Sequence, residues 1–280
     1  QIRKADSLYK NYLPQSNFEE VKAAMEFFDS YQQSAISGQR WRLFGKEADD
    51  ENRLIAESRQ LTAAKAHYYH AVGLTEKDDI VGACEHYLIA LEIMEDMMAK
   101  DKRLRKKDKR LKAKVDNPEE YEKIRFVSLI YTRLGRLFYD ENYCDLAIIK
   151  YRKALEYVEI IDEKPSKANV LKFLGNSYQL SNVSDSALYY YNESLRYNSS
   201  LPNKLDVEKS IAQILFYEGK RDSAFRLVKT NLNRLVDYDS KYSYYYTLGD
   251  MYFNDKMYDS AICYLEKSFF ISTFLTRKSR

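Results

Sequence analysis

Residues 174–191 read Leu174-Gly175-Asn176-Ser177-Tyr178-Gln179-Leu180-Ser181-Asn182-Val183-Ser184-Asp185-Ser186-Ala187-Leu188-Tyr189-Tyr190-Tyr191. Gly175 stands inside an apolar-periodic stretch, where glycine costs a helix about 1 kcal/mol relative to alanine. Ala187 follows twelve positions later, and the large Tyr191 four beyond that. Two antiparallel helices joined by a short turn can approach closely where small side chains meet, with larger residues filling the space around them. Working outward, the same register of small residue, alanine and large residue recurs as Ala71, Ala83, Tyr87; Gly135, Ala147, Tyr151; Ala212, Ala224, Val228; and Gly249, Ala261, Leu265. The last four alanines lie 40, 37 and 37 residues apart. A period in that range is the mark of a helical repeat.

The surrounding residues sharpen the register. Leu134-Gly135-x-x-Phe138, Leu174-Gly175-x-x-Tyr178 and Leu248-Gly249-x-x-Tyr252 mark the first helix of each pair. Second helices open on Asp145-Leu146-Ala147, Asp185-Ser186-Ala187, Asp222-Ser223-Ala224 and Asp259-Ser260-Ala261, where Asp or Ser near the first turn is expected to cap backbone amides. Pro118, Pro165 and Pro202 are expected between helices, and Asn117-Pro118-Glu119-Glu120 reads as a helix start with proline at its first position. These residues resemble the tetratricopeptide repeat family, whose signature is a Leu-Gly-x-x-Tyr-like first helix and an Ala-x-x-x-Phe/Tyr-x-x-Ala second helix. The match covers roughly residues 64–275; Ala90 and Ala154 complete the second-helix pattern, whereas Ser194, Asn231 and Ser268 depart from it.

The resemblance implies an all-α fold, a right-handed superhelical solenoid of antiparallel helix pairs, with about five repeats over 64–275. Residues 1–63 lack the signature but place Val21, Ala24, Met25 and Phe28 at helical spacing, so they are expected to form a diverged helical segment or capping repeat with a turn at 41–45. Residues 276–280 read as a basic tail or the start of a further element. The Asp-Ser-Ala-x-x-Tyr-Tyr style of repeat resembles tetratricopeptide proteins of Bacteroidetes-type bacteria. That resemblance leads us to expect an exported or membrane-tethered protein, with a cytoplasmic one as the alternative.

Composition agrees with stacked amphipathic helices. Eight Gly and four Pro in 280 residues are too few for a turn-dense β-fold, and 31% charged against 45% hydrophobic residues suits helices with one buried face. The net charge is +3, yet the strip 100–114 alone carries +8, leaving −5 for the remainder. Lys102, Arg103, Arg105, Lys106, Lys107, Lys109 and Arg110 form its centre, in an expected insertion at 100–116. With few apolar residues it reads as a solvated, protruding insertion, and its functional alternative is an acidic membrane surface or acidic partner. An acidic body with one basic strip argues against nucleic acid, which calls for a positive face on the fold.

No constellation for catalysis stands out. His67, His70 and His86 accompany no nucleophile motif and no carboxylate at a recognised metal-ligand spacing, so we expect no metal, no cofactor and no reaction, and packing or solvation for these rings. Cys84, Cys144 and Cys263 are odd in number and far apart, which leaves small apolar fillers rather than a disulfide or zinc framework.

The resemblance places the ligand surface on a concave face lined by first helices. Carried over by register, this gives Arg136 and Tyr139; Lys172, Asn176 and Gln179; Lys209, Gln213 and Phe216; and Tyr246, Asp250 and Phe253. Lys172 and Asn176 match the opening Lys-x-x-x-Asn of the clamp by which chaperone-binding members hold a C-terminal carboxylate. Ser210, Ser243 and Thr247 stand where that clamp has Asn, Lys and Arg. A polar groove with interleaved aromatics points instead to an extended or helical peptide. Tyr189-Tyr190-Tyr191 and Tyr244-Tyr245-Tyr246 cannot act as platforms whole, because three successive helical residues point in different directions. The expected function is therefore a non-catalytic protein- or peptide-binding scaffold or sensor domain, with the ligand-binding part of a peptide-responsive transcriptional regulator as the alternative.

Overall fold

The computed structural model describes residues 46–107 and 117–278, with backbone alone for 46–55, 100–107 and 275–278. The described residues form ten helices and no strand: α1 (Lys46–Glu76), α2 (Ile80–Lys107), α3 (Pro118–Asp140), α4 (Cys144–Ile161), α5 (Lys164–Leu180), α6 (Ser184–Tyr197), α7 (Leu201–Tyr217), α8 (Arg221–Leu232), α9 (Tyr238–Asn254) and α10 (Tyr258–Lys278). They divide into two compact units, one ending at Ile161 and one beginning at Asp162. Unit 1 holds the pairs α1/α2 and α3/α4; unit 2 holds α5/α6, α7/α8 and α9/α10.

The alanine register is a contact register. Ala83, Ala147, Ala187, Ala224 and Ala261 are all buried, and each second helix meets its own first helix there. A β-carbon built on Gly135 would stand 2.6 Å from the Tyr151 ring, one on Gly175 2.5 Å from the Tyr191 ring, and one on Gly249 2.6 Å from Leu265. The glycines are thus required by the large residue sixteen positions on. The departures at the last small position are explained as well. Ser194 donates to the carbonyl of Ala168 at 2.7 Å, Ser268 to that of Tyr242 at 3.2 Å, and the Asn231 amide to Glu208 at 2.7 Å, so each polar side chain pins its helix to the preceding one.

The turn inside each pair repeats too. Asp78, Asn142, Asn182, Gly219 and Lys256, each five residues before its alanine, adopt positive φ between 58° and 84°. The next residue's amide then bonds back over the helix end, as in Tyr143 to the Phe138 carbonyl (2.8 Å), Val183 to Tyr178 (2.9 Å), Lys220 to Leu215 (2.9 Å) and Met257 to Tyr252 (2.9 Å). This is a left-handed helix stop that satisfies carbonyls otherwise orphaned.

Several expectations need correction. Pro165 and Pro202 lie within the first turns of α5 and α7 rather than between helices, where a missing N–H costs nothing. Pro118 opens α3 with the Asn117 side chain accepting from the Glu119 amide at 3.0 Å, as expected. Asp185 and Asp222 sit in first turns but make no cap hydrogen bond, so they act on the helix ends through charge alone. The 63/64 boundary falls inside α1, and α10 continues through Lys278. Residues 1–45, including the expected N-terminal helix and the 41–45 turn, lie outside the described residues, as do Lys109 and Arg110. The backbone of Lys102, Arg103, Arg105, Lys106 and Lys107 belongs to α2.

Candidate functional site on the first-helix face

Unit 2 brings most of the expected ligand residues onto one face of α5, α7 and α9. At its centre Asp206 accepts from two lysines, Lys172 at 3.2 Å and Lys209 at 3.1 Å. Lys209 also donates to the Ser243 hydroxyl at 2.5 Å, so three successive first helices are tied by one polar line. The lysine side chains are only 17% and 15% exposed, while the carboxylate between them is 47% exposed. Burial alone would push the Asp206 carboxyl up; the ammonium groups of Lys209 and Lys172 outweigh it and hold the group below the ordinary carboxylate range.

On one side of this line the Tyr191 hydroxyl faces the side-chain oxygens of Asn176 (2.8 Å) and Gln179 (2.6 Å). A phenol carries a single proton, so it donates to one of these two amides and the other is turned to offer its NH2 to the phenol oxygen. On the other side Tyr217 donates to Asp250 at 3.4 Å, and Asn254 donates to the same carboxylate at 3.1 Å. Burial raises the Tyr217 phenol's pKa, and Asp250 adds to the shift. Tyr246 and Phe253 are exposed, with Phe253 edge-on to Tyr258 at 5.8 Å, and Gln213 is half-buried. The face thus combines amide and ammonium donors with accessible aromatic area.

Phe216 is a correction. It is 4% exposed and packs edge-on against Phe225 at 5.8 Å in the core, while its neighbour Tyr217 takes the exposed place. The Asn176 side chain is engaged by Tyr191, and Thr247 is buried with its hydroxyl on the Ser243 carbonyl, so the carboxylate-clamp pattern is not reproduced. Asp206, Tyr191 and Tyr217 were not among the expected face residues, and Ser243 was placed there only as a departure from the clamp. Asp206 precedes Lys209 by three residues, nearly one helical turn, and that spacing was the available signal.

Arg136 and Tyr139 belong to unit 1. Arg136 is exposed and its Nε donates to both oxygens of Asp140 at 2.8 and 2.9 Å; Tyr139 is half-buried, and burial raises its pKa. Elsewhere in that unit the histidines gather: Nδ1 of His67 lies 2.8 Å from Nδ1 of His86, and the His70 and His86 rings stand 4.4 Å apart. One nitrogen of the first pair must donate and the other accept. Among the described residues no three or more His, Cys, Asp or Glu side chains are placed to share a metal ion. The tyrosine triplets split as helical geometry requires. Tyr191 and Tyr244 are buried, Tyr190 and Tyr245 stack on Tyr178 (5.3 Å) and Tyr264 (6.2 Å), and Tyr189 and Tyr246 are exposed. Cys84 and Cys144 are half-buried, but Cys263 is exposed and fills nothing. No described helix is long and apolar enough to cross a membrane.

Neither a protein-family model nor a curated protein matches the sequence. Solved structures do match in fold. BtubC (BKLC) from P. vanneervenii superposes with a TM-score of 0.54 at 15% identity over 93% of each chain. The nearly identical TPR-like repeats of a P. anserina kinesin light chain reach 0.51 at 13% identity, covering 76% of this chain and 96% of that one. The fold is of the tetratricopeptide type. A Rap conjugation gene regulator of the plasmid pLS20, in complex with the Phr* peptide, gives 0.50 at 14% identity over 99% of this chain and 73% of that one.

Proposed function

We propose that the chain is a non-catalytic protein- or peptide-binding scaffold that takes its ligand on the first-helix face of α5, α7 and α9. What carries this reading is the line Lys172–Asp206–Lys209–Ser243, which fixes donors and a half-exposed acceptor on three successive helices beside the exposed rings of Tyr246 and Phe253. Prefixed polar groups lose little freedom when a ligand arrives, and aromatic rings add contact area at low entropic cost. An extended peptide fits this mixture, its backbone meeting the Lys172 and Lys209 donors and the Asp206 acceptor and its side chains the rings.

The test selects binders from a random displayed-peptide library against the purified chain, then measures them by titration calorimetry. The expected result is peptides whose affinity falls about tenfold or more when Lys172 and Lys209 are both replaced by alanine, with circular dichroism unchanged. Peptides that bind both forms equally would move the working surface elsewhere. A peptide-responsive regulator is the second reading, supported by the fold likeness to the Rap regulator captured with its Phr* peptide.

A further inference from the structure

Asp250 sits half-buried in the last turn of α9, within reach of the end of α7. One of its oxygens accepts from the Tyr217 hydroxyl at 3.4 Å and the other from the Asn254 amide at 3.1 Å, and both donors are neutral. Neighbouring acids have cations instead: Asp206 takes Lys172 and Lys209, Glu218 takes Lys220 at 2.9 Å, and Asp255 takes Arg221 at 3.1 Å. Among the described residues no cation pairs with Asp250. A carboxylate has about four acceptor positions, so one remains on each oxygen.

Aromatic rings surround this carboxylate. Tyr246 lies one turn before Asp250 on α9 and Phe253 one turn after it, both on the same side of the helix, and Tyr217 reaches it from α7. Tyr217 is 68% exposed and the other two 56% each. Elsewhere in unit 2 the chain fills such ring faces with its own lysines: Lys229 stands 5.3 Å from the centre of Tyr252 and Lys267 5.0 Å from that of Tyr264. Helix ends add to the field. α7 stops at Tyr217 and α9 at Asn254, and neither has a basic residue in its last turn. The partial negative charge of two helix C-termini therefore reinforces that of the carboxylate.

We propose that Asp250, with Tyr217, Tyr246 and Phe253 around it, is the subsite of the first-helix face that takes an arginine side chain of the bound peptide. Two parallel N–H groups of the guanidinium meet the remaining acceptor position on each oxygen, while its planar face lies on the rings. A lysine ammonium is a point charge that matches this fork less well, and an acidic side chain is repelled. That the arginine belongs to a peptide rests on the binding reading given above; the cation site itself is independent of the Lys172–Asp206–Lys209 line.

The probes are N-acetyl-arginine amide and its neutral isostere N-acetyl-citrulline amide, titrated into the full chain while the Tyr217 and Asn254 resonances are followed by NMR. Expected are saturable shifts with arginine and none with citrulline. Affinity should fall about tenfold or more on Asp250→Asn, about threefold on Tyr246→Leu, and not at all when Lys172 and Lys209 are both alanine. Tyr246 is exposed, so this second variant reads the site even if the first disturbs the fold. Peptides selected on the wild-type chain should carry arginine and weaken when it is replaced by citrulline. Four outcomes overturn the proposal. They are equal shifts with citrulline, unchanged arginine binding to the Asp250→Asn chain, shifts no larger than those beside Asp145, an exposed carboxylate of α4, or no saturable shift in the wild type, as when one of the chain's own cations closes the site. Selected peptides that need the two lysines but no arginine would likewise sink it while leaving the wider face as the binding surface. Arginine binding at Asp250 without any lysine-dependent peptide would keep the site and remove that wider reading.

Discussion

Gly175 and Gly249 occupy the same register position but face different neighbours. A β-carbon on Gly175 meets the fully buried Tyr191 ring at 2.5 Å, and that ring is also held by its hydroxyl contacts to Asn176 and Gln179. At Gly249 the β-carbon meets Cγ of the half-buried Leu265 at 2.6 Å, which a rotamer change can relieve, and the Leu265 backbone nitrogen at 3.3 Å, which it cannot. Replacing glycine by alanine gains about 1 kcal/mol of helix propensity at both sites, against overpacking of about 1–3 kcal/mol where the neighbour cannot yield. We expect Gly175→Ala to lower stability by about 1–2 kcal/mol and Gly249→Ala to lower it by less, as read by chemical denaturation. Asp206 allows a second prediction. Its folded pKa is depressed, so the stabilisation it contributes is present above the ordinary carboxylate pKa of about 3.9 and is lost as pH falls through the depressed value. Thermal melts of wild type and Asp206→Asn should therefore differ at neutral pH and converge as the pH falls below the ordinary carboxylate pKa and through the depressed one. The small-residue register was legible in the sequence because steric contact dictates it. The burial of Phe216 was not: it depends on Phe225 offering an aromatic partner, where the corresponding α10 residue is Ile262.

At the scale of the helices, the turn inside each pair is fixed by one residue at positive φ. Asparagine or glycine fills that place at 142, 182 and 219, but Lys256 has φ 61° and an exposed side chain. A non-glycine residue with an ordinary β-carbon is disfavoured there by about 1 kcal/mol. Lys256→Gly should accordingly stabilise the chain by about 0.5–1 kcal/mol, seen as a shift in denaturation midpoint without a change in slope. Helix existence and pairing could be read from periodicity, and the α3 cap from Asn117-Pro118. The left-handed stop is not legible in the sequence, because its residue types vary from Asp to Lys while the backbone geometry stays constant.

Across unit 2, each pair packs on its immediate neighbours, so a defect should remain local as in other repeat folds. Hydrogen exchange on Gly175→Ala should show faster exchange in α5 and α6 while α9 and α10 keep their protection; uniform loss over all six helices would argue for a single cooperative block. The number of pairs was legible because it follows from the repeat. The half-exposed Asp206 and the contact of Tyr217 with Asp250 depend on which neighbour is present in three dimensions, and periodicity alone does not carry that. The same geometry leaves one thiol easier to label than the others. Cys84 is half-buried and burial pushes its thiol pKa up, Cys144 is half-buried with its sulfur on the Asn142 carbonyl, and Cys263 stands in solvent on α10. A maleimide dye applied at neutral pH should attach first at Cys263, which would put a spectroscopic reporter on α10 without any engineered mutation.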